Sequence, residues 1–262
     1  MLYLEKFFLP NENGREYPYQ VLYPKMLGTI SFSPITIFYG SNGSGKSTLL
    51  NVIAEKIGVK IKTKGNSSFC FDEYVEKCIY LMAERNEEPL LLPKNSRFIR
   101  SEDIMSGIVD LRRKTERTMN ELTEISNAIL IDDLGECKKY GERELARPRK
   151  DYCSLFDQYS NGETAMMFFE NTIKPNTLYF LDEPENSLSP NLQLRLKEII
   201  ESFAYNLNCQ FIIASHSPFL LSAEHAKVYN LDMYPSKVCN WNELENVRCY
   251  YDFLDKNKHL FR

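Results

Sequence analysis

The sequence predicts an α/β fold in which a mostly parallel sheet is covered by helices on both faces. Three stretches carry that expectation. Ile35-Thr36-Ile37-Phe38-Tyr39 is a β-branched and aromatic run that stops at Gly40, and apolar residues at helical spacing follow it: Leu49, Leu50, Ile53, Ala54 and Ile57. Thr177-Leu178-Tyr179-Phe180-Leu181 is a second apolar strand, leading to a helix over 191–205. Gln210-Phe211-Ile212-Ile213-Ala214-Ser215 is a third. Strands that alternate with helices are joined by crossovers, which lay helices over both faces of a parallel sheet.

The remaining elements follow in chain order. The opening, through Arg15-Glu16-Tyr17-Pro18-Tyr19, reads as a strand and turns. Gly58 is placed to stop the helix after the glycine loop. Between 65 and 97 two readings stay open, because Tyr74, Val75, Cys78, Ile79 and Met82 suit a helix while the stretch could also hold strands. Residues 103–127 are charged, rich in helix formers and free of proline, so a small helical subdomain is expected, followed by a polar loop near 138–150. It is assigned to about 101–170, inserted between the two lobes of a single domain over 1–262.

A chain of 262 residues suits one large domain better than two. With 43% apolar and 26% charged residues, and no apolar run near bilayer-spanning length, an ordinary globular protein is expected. The start, Met1-Leu2-Tyr3-Leu4-Glu5-Lys6, has an early acid and lacks the layout of a secretory signal, so the cytoplasm is the expected compartment. Seven cysteines (70, 78, 137, 153, 209, 239, 249) form an odd set without a C-x-x-C pair, which points to reduced core thiols rather than a disulfide framework or zinc ribbon. The net charge of −4 provides no global field for nucleic acid. The local run Arg112-Arg113-Lys114 with Arg117 is surrounded by acids and reads as a solvated helix face.

Gly40-Ser41-Asn42-Gly43-Ser44-Gly45-Lys46-Ser47 fits G-x-x-x-x-G-K-[ST] at every fixed position, and Thr48 continues it into the helix. Glycines let backbone N–H groups wrap phosphates at a positive helix N-terminus. Lys46 is expected on the β and γ phosphates and the Ser47 hydroxyl on Mg²⁺. The bland alternative is a glycine turn capped by Ser47, and the strand before it and helix after it weigh against that. Asp182 and Glu183 leave the second strand at its carboxyl end, where open α/β sheets bind ligands. Asp182 is expected on Mg²⁺, and Glu183 as the base that orients and deprotonates water. His216, after the third strand, could hydrogen-bond the γ-phosphate or the attacking water. His225 and His259 have no such context.

These segments, in this order, resemble ABC-type ATPases: a Walker A loop at 40–47, a Walker B strand at Leu178-Tyr179-Phe180-Leu181-Asp182-Glu183-Pro184, Ser187-Leu188-Ser189-Pro190 after it, and Ala214-Ser215-His216-Ser217. Tyr159-Ser160-Asn161-Gly162-Glu163 resembles their signature motif, with Asn161 where glycine is usual. The Ser-x-Gly-Glu form looks like the soluble chromosome-maintenance and recombination-repair branch and its small stand-alone relatives. Phe98-Ile99-Arg100-Ser101-Glu102-Asp103, Glu243-Leu244-Glu245 and Asp252-Phe253-Leu254 are similar to segments of the latter.

The resemblance implies a P-loop NTPase with an ABC-type head and its small helical subdomain. It implies ATP and Mg²⁺ as ligands and a head-to-tail homodimer in which Ser160, Gly162 and Glu163 of one copy meet the nucleotide of the other. No Q-loop glutamine is visible, so Glu102 is the candidate in its place. Arg15, Tyr17 and Tyr23 are candidates beside adenine. The implied function is an ATP-hydrolysing switch that works with a further protein partner in DNA repair or in defence against mobile elements. Alternatives are the nucleotide-binding subunit of a membrane transporter and an ATP-stabilised scaffold with little turnover. About 110 residues separate the P-loop from the signature, too few for long coiled-coil arms.

Overall fold

A computed structural model describes residues 1–61, 69–104, 106, 161–186 and 188–261. Most of the expected helical subdomain lies outside these residues, as do the 138–150 loop, Arg112 to Arg117, Ser160 and Ser187.

The small strands and helices before the P-loop are β1 (Leu4–Phe8), α1 (Tyr19–Leu22) and β2 (Thr29–Ser31). They are followed by β3 (Ile35–Tyr39), α2 (Lys46–Ile57), α3 (Phe69–Lys77), β4 (Ile79–Met82), β5 (Glu84–Arg85), β6 (Glu88–Pro89) and β7 (Arg97–Arg100). After the undescribed stretch come α4 (Asn161–Thr172), β8 (Leu178–Asp182), α5 (Pro190–Asn206), β9 (Gln210–Ala214) and α6 (Pro218–Leu221). The described chain closes with β10 (Lys227–Asn230), β11 (Lys237–Cys239) and α7 (Glu245–Asn257).

The expected parallel sheet is present, in the order β11-β10-β3-β9-β8-β7. All its pairings are parallel except the antiparallel edge strand β11. Every residue of β3, β8 and β9 is buried, which is why these strands read in sequence as unbroken apolar runs. Alternate residues serve opposite faces. Phe38, Phe180 and Ile212 pack with Leu49, Leu50 and Ile53 of α2, while Ile37, Leu181 and Ile213 pack with Phe169 of α4 and Leu196 and Ile200 of α5. The helix expected over 191–205 begins at Pro190, whose fixed φ and missing N–H suit a first helical position. Gly58 ends α2 at φ 81, and its N–H bonds the carbonyls of Ala54 and Glu55.

The two readings left open for 65–97 both apply, to different parts of it. Tyr74 and Val75 are buried on α3, but the helix stops at Lys77 and the chain turns at Cys78. Ile79 and Met82 belong to β4, which pairs antiparallel with β1. Only Cys78 and Cys209 are buried among the five described cysteines, so the expectation of core thiols fails for exposed Cys249 and for half-buried Cys70 and Cys239. No described helix is long and apolar enough to cross a membrane.

A buried amide joins the small sheet β2-β1-β4 to the main one. Gln210, fully buried at the start of β9, accepts the N–H groups of Tyr3 (2.8 Å) and Leu4 (2.9 Å) and donates to the Leu4 carbonyl (2.9 Å). A hydrocarbon there would strand buried backbone groups of β1, each at about 1–3 kcal/mol. Gln210→Leu is therefore expected to lower unfolding stability by roughly 2–5 kcal/mol in urea titration.

Candidate functional site

The parallel strands deliver the chemistry-bearing residues to one sheet end. β3 runs into the 40–47 loop, β8 ends at Asp182, and Asp182 pairs in register with Ala214 just before His216. The loop is wound too tightly to admit side chains at two of its glycines. A Cβ on Gly40 would stand 2.4 Å from Ser44 Oγ, and one on Gly45 would stand 2.8 Å from Val21 Cγ1 of α1. Gly43 and Gly45 adopt φ of +80° and +99°, conformations that side-chain-bearing residues resist. Ser44 Oγ is buried with no hydrogen-bond partner. The first N–H groups of α2 start where this turn ends, giving a cradle of donors at a positive helix end.

Lys46 is 4% exposed, and its ammonium donates to the carbonyls of Gly40 (2.8 Å) and Ser41 (3.2 Å). It also lies 3.6 Å from Glu183 Oε1. Ser47 Oγ donates to Asp182 Oδ1 at 2.8 Å, joining the two expected metal-binding residues directly. Burial raises the pKa of Asp182 above the usual aspartate range, and the nearby Glu183 charge adds to this, while the Ser47 hydroxyl and the charges of Arg100 and Lys46 oppose it. A carboxylate held against desolvation in this way gains from a cation. The cradle and the hydroxyl–carboxylate pair thus fit a nucleoside triphosphate with a hard divalent ion on Ser47 and Asp182. Asn42 is exposed at the turn and Thr48 half-buried on α2.

Glu183 occupies a left-handed backbone conformation, φ 48°, which is costly for a residue with a side chain. Its N–H bonds the Ala214 carbonyl at 2.9 Å, and Asn186 Nδ2 donates to its Oε2 at 3.1 Å. The chain after β8 therefore turns sharply, with the carboxylate toward Lys46. His216 stands beyond the end of the neighbouring strand β9, its side chain 46% exposed. Its carbonyl accepts from Asn246 of α7 at 3.0 Å.

Four residues that sequence reading did not single out support the site. Glu185, 5% exposed, takes three donors on Oε1: Ser215 Oγ (2.7 Å) and the N–H groups of His216 (2.9 Å) and Ser217 (3.2 Å). Asp232, two residues beyond β10, grips the loop by accepting from the Ser41 N–H (2.8 and 3.0 Å) and from the Ser41 hydroxyl (2.9 Å). Arg100 donates to Asn51 Oδ1 at 2.9 Å from the end of β7, and it is Arg100 whose charge reaches Asp182. Glu102, the candidate in place of a Q-loop glutamine, is exposed on the following helical turn. Asn246 completes the four. An acid just past a strand was the available signal for Asp232; nothing local marks the others. Asp232→Ala is expected to weaken ATP binding about tenfold in calorimetric titration, because the loop's first turn loses its charged acceptor.

Ser160 of the signature-like segment lies outside the described residues. Gly162 is buried and Glu163 exposed on α4, whose described part begins at Asn161. Of the adenine candidates, Tyr17 stacks on Phe71 with ring centroids 5.9 Å apart, and Arg15 and Tyr23 are exposed. One face of the Tyr17 ring is thereby committed to packing.

A family described as "AAA domain, putative AbiEii toxin, Type IV TA system" matches residues 155–222. The tungstate uptake system ATP-binding protein TupC of Campylobacter jejuni is 26% identical over 84% of this chain, which spans 65% of that relative's length. The phosphate import ATP-binding protein PstB 3 of Synechocystis is 22% identical over 78% of this chain and 72% of that protein. Among solved structures, the SMC head domain from Thermotoga maritima is similar at 15% identity, over 90% of this chain and 98% of that one, with a TM-score of 0.43. In motif order, parallel sheet and sequence the chain resembles ABC-class P-loop ATPases.

Proposed function

We propose that this ABC-class chain binds ATP with Mg²⁺ on the 40–48 loop and hydrolyses it, and that two copies close head to tail over the nucleotide. The observation that carries the reading is the joining of Ser47, Asp182, Lys46 and Glu183 at one sheet end by contacts of 2.8 Å and 3.6 Å. Phosphoryl transfer needs mainly positioning and charge neutralisation. Gly40 to Ser47 wrap the phosphates, and Lys46 exchanges loop carbonyls for phosphate oxygens. Ser47 and Asp182 would hold Mg²⁺, which would supply positive charge to the phosphates. Glu183, released from its ion pair as Lys46 turns to phosphate, accepts the proton of the attacking water, and His216 bounds the γ-phosphate side.

Its own loop would leave the γ-phosphate exposed, and a helix N-terminus offers donors to such an anion. Ser160, Gly162 and Glu163 of the second copy are assigned to that role. ATP then joins the two copies and hydrolysis separates them, which makes the pair a switch for a further protein partner. DNA repair and defence against mobile elements are the settings we favour, on the resemblance of the signature to the soluble branch. Nucleic acid is not called for by the charge of −4.

A second reading is a transporter's nucleotide-binding subunit, favoured by the names of the sequence relatives. Phosphate release by the purified chain tests the common core: Mg²⁺-dependent release supports it, and release unaffected by Asp182→Ala would sink the metal assignment. Co-purification with a membrane protein, rather than a soluble one, would favour the second reading.

A further inference from the structure

Glu185 and His216 face each other in a way that the reading above leaves unused. Besides Ser44 Oγ in the loop, Glu185 Oε2 and His216 Nδ1 are buried in the site with no hydrogen-bond partner, and Nδ1 lies only 3.4 Å from Glu185 Oε1. The carboxyl group is already fixed by the three donors from 215–217 and cannot swing away without breaking the turn that carries the histidine. That turn is tied in again from behind, since Ser217 Oγ donates to Gln193 Oε1 at 2.6 Å. With Nδ1 buried and the side chain 46% exposed, the edge of the ring bearing Nε2 is the one turned outward.

We propose that Glu185 is the positioning residue for His216, holding the imidazole with its proton on Nδ1 so that Nε2 is presented bare. A carboxylate beside an imidazole nitrogen attracts N–H and repels a lone pair, and leaving a buried polar atom unpaired costs about 1–3 kcal/mol. A small ring rotation turns the 3.4 Å approach into an Nδ1–H···O bond. Carboxylates set histidine tautomers in this manner in hydrolytic triads and around metal ligands. The consequence is chemical. A neutral His216 so held accepts a hydrogen bond at Nε2 and cannot donate one, so it faces the attacking water; it donates to a γ-phosphate oxygen only as the imidazolium. This rests on the assignment of His216 to the nucleotide, but the tautomer itself does not.

Long-range ¹⁵N–¹H NMR of the imidazoles, followed upward in pH until the spectrum stops changing, reads the tautomer directly. The chain has three histidines, so His225 and His259 serve as references. The expected result is Nδ1–H with bare Nε2 at His216, shifting toward Nε2–H in Glu185→Gln. Wild-type His216 with its proton on Nε2, or a tautomer unmoved by Glu185→Gln, overturns the proposal, and the wild-type spectrum decides even if the variant fails to fold. In turnover, Glu185→Gln is expected to lower kcat roughly 10- to 100-fold with KM for ATP within about threefold, and to add nothing to His216→Ala. Unchanged kcat in Glu185→Gln, while His216→Ala is impaired, contradicts positioning. A locked Nδ1–H tautomer in a protein whose turnover ignores His216→Ala supports the positioning and instead removes His216 from the hydrolysis assignment.

Discussion

Lys46→Ala is expected to reduce ATP-dependent phosphate release by about 10³-fold and to weaken ATP binding enough for calorimetry to lose the heat of binding. The side chain is 4% exposed and its ammonium already sits among loop carbonyls, so its charge acts in a poorly hydrated site where one cation counts for more than it would in water. Alanine removes that charge and leaves Glu183 without its ion-pair partner. The backbone cradle keeps its glycines, so the fold should survive. An unchanged circular dichroism spectrum alongside lost binding is the expected pattern, and residual binding at wild-type strength would show that phosphate is held elsewhere.

Glu183→Gln is expected to cut phosphate release by about 10²- to 10⁴-fold, the usual contribution of a positioned general base, while ATP binding persists. Glutamine preserves size and can still accept from Asn186, but it takes up no proton at neutral pH. A second effect points the same way for binding. The Glu183 charge helps to raise the pKa of Asp182, so its removal lets Asp182 ionise more readily and favours the cation that Asp182 and Ser47 would share. Binding as tight as wild type or tighter, with turnover lost, is the signature to look for. Equal turnover in both proteins would remove Glu183 as the base.

Much of the fold could be read from the chain because its central strands are buried on both faces and therefore leave unbroken apolar runs. Ile35 to Tyr39, Leu178 to Asp182 and Gln210 to Ala214 are all of this kind. The phosphate loop was legible for a different reason: close backbone approach to an anion demands glycines at fixed places, as the positive φ of Gly43 and Gly45 illustrates. Strand β4 was not, since Ile79, Tyr80 and Leu81 are exposed apolar residues on a small sheet and have no two-residue alternation to give the strand away. Glu185, Asp232 and Gln210 were missed because their partners are distant in sequence: Ser215 for Glu185, Ser41 for Asp232 and Tyr3 for Gln210. Each reads in isolation as an ordinary polar residue near a strand end, and only the sheet order brings it to its partner.

Whether two copies complete one nucleotide site is best decided by the mass in solution of the Glu183→Gln protein, measured by light scattering with and without saturating ATP–Mg²⁺. The mass should double with ATP–Mg²⁺, remain single with ADP, and stay single under all conditions when Lys46→Ala is added. A Glu183→Gln chain that calorimetry shows to be fully loaded with ATP, yet that scatters as a single copy, would contradict the shared site and leave each loop to hold its phosphates alone.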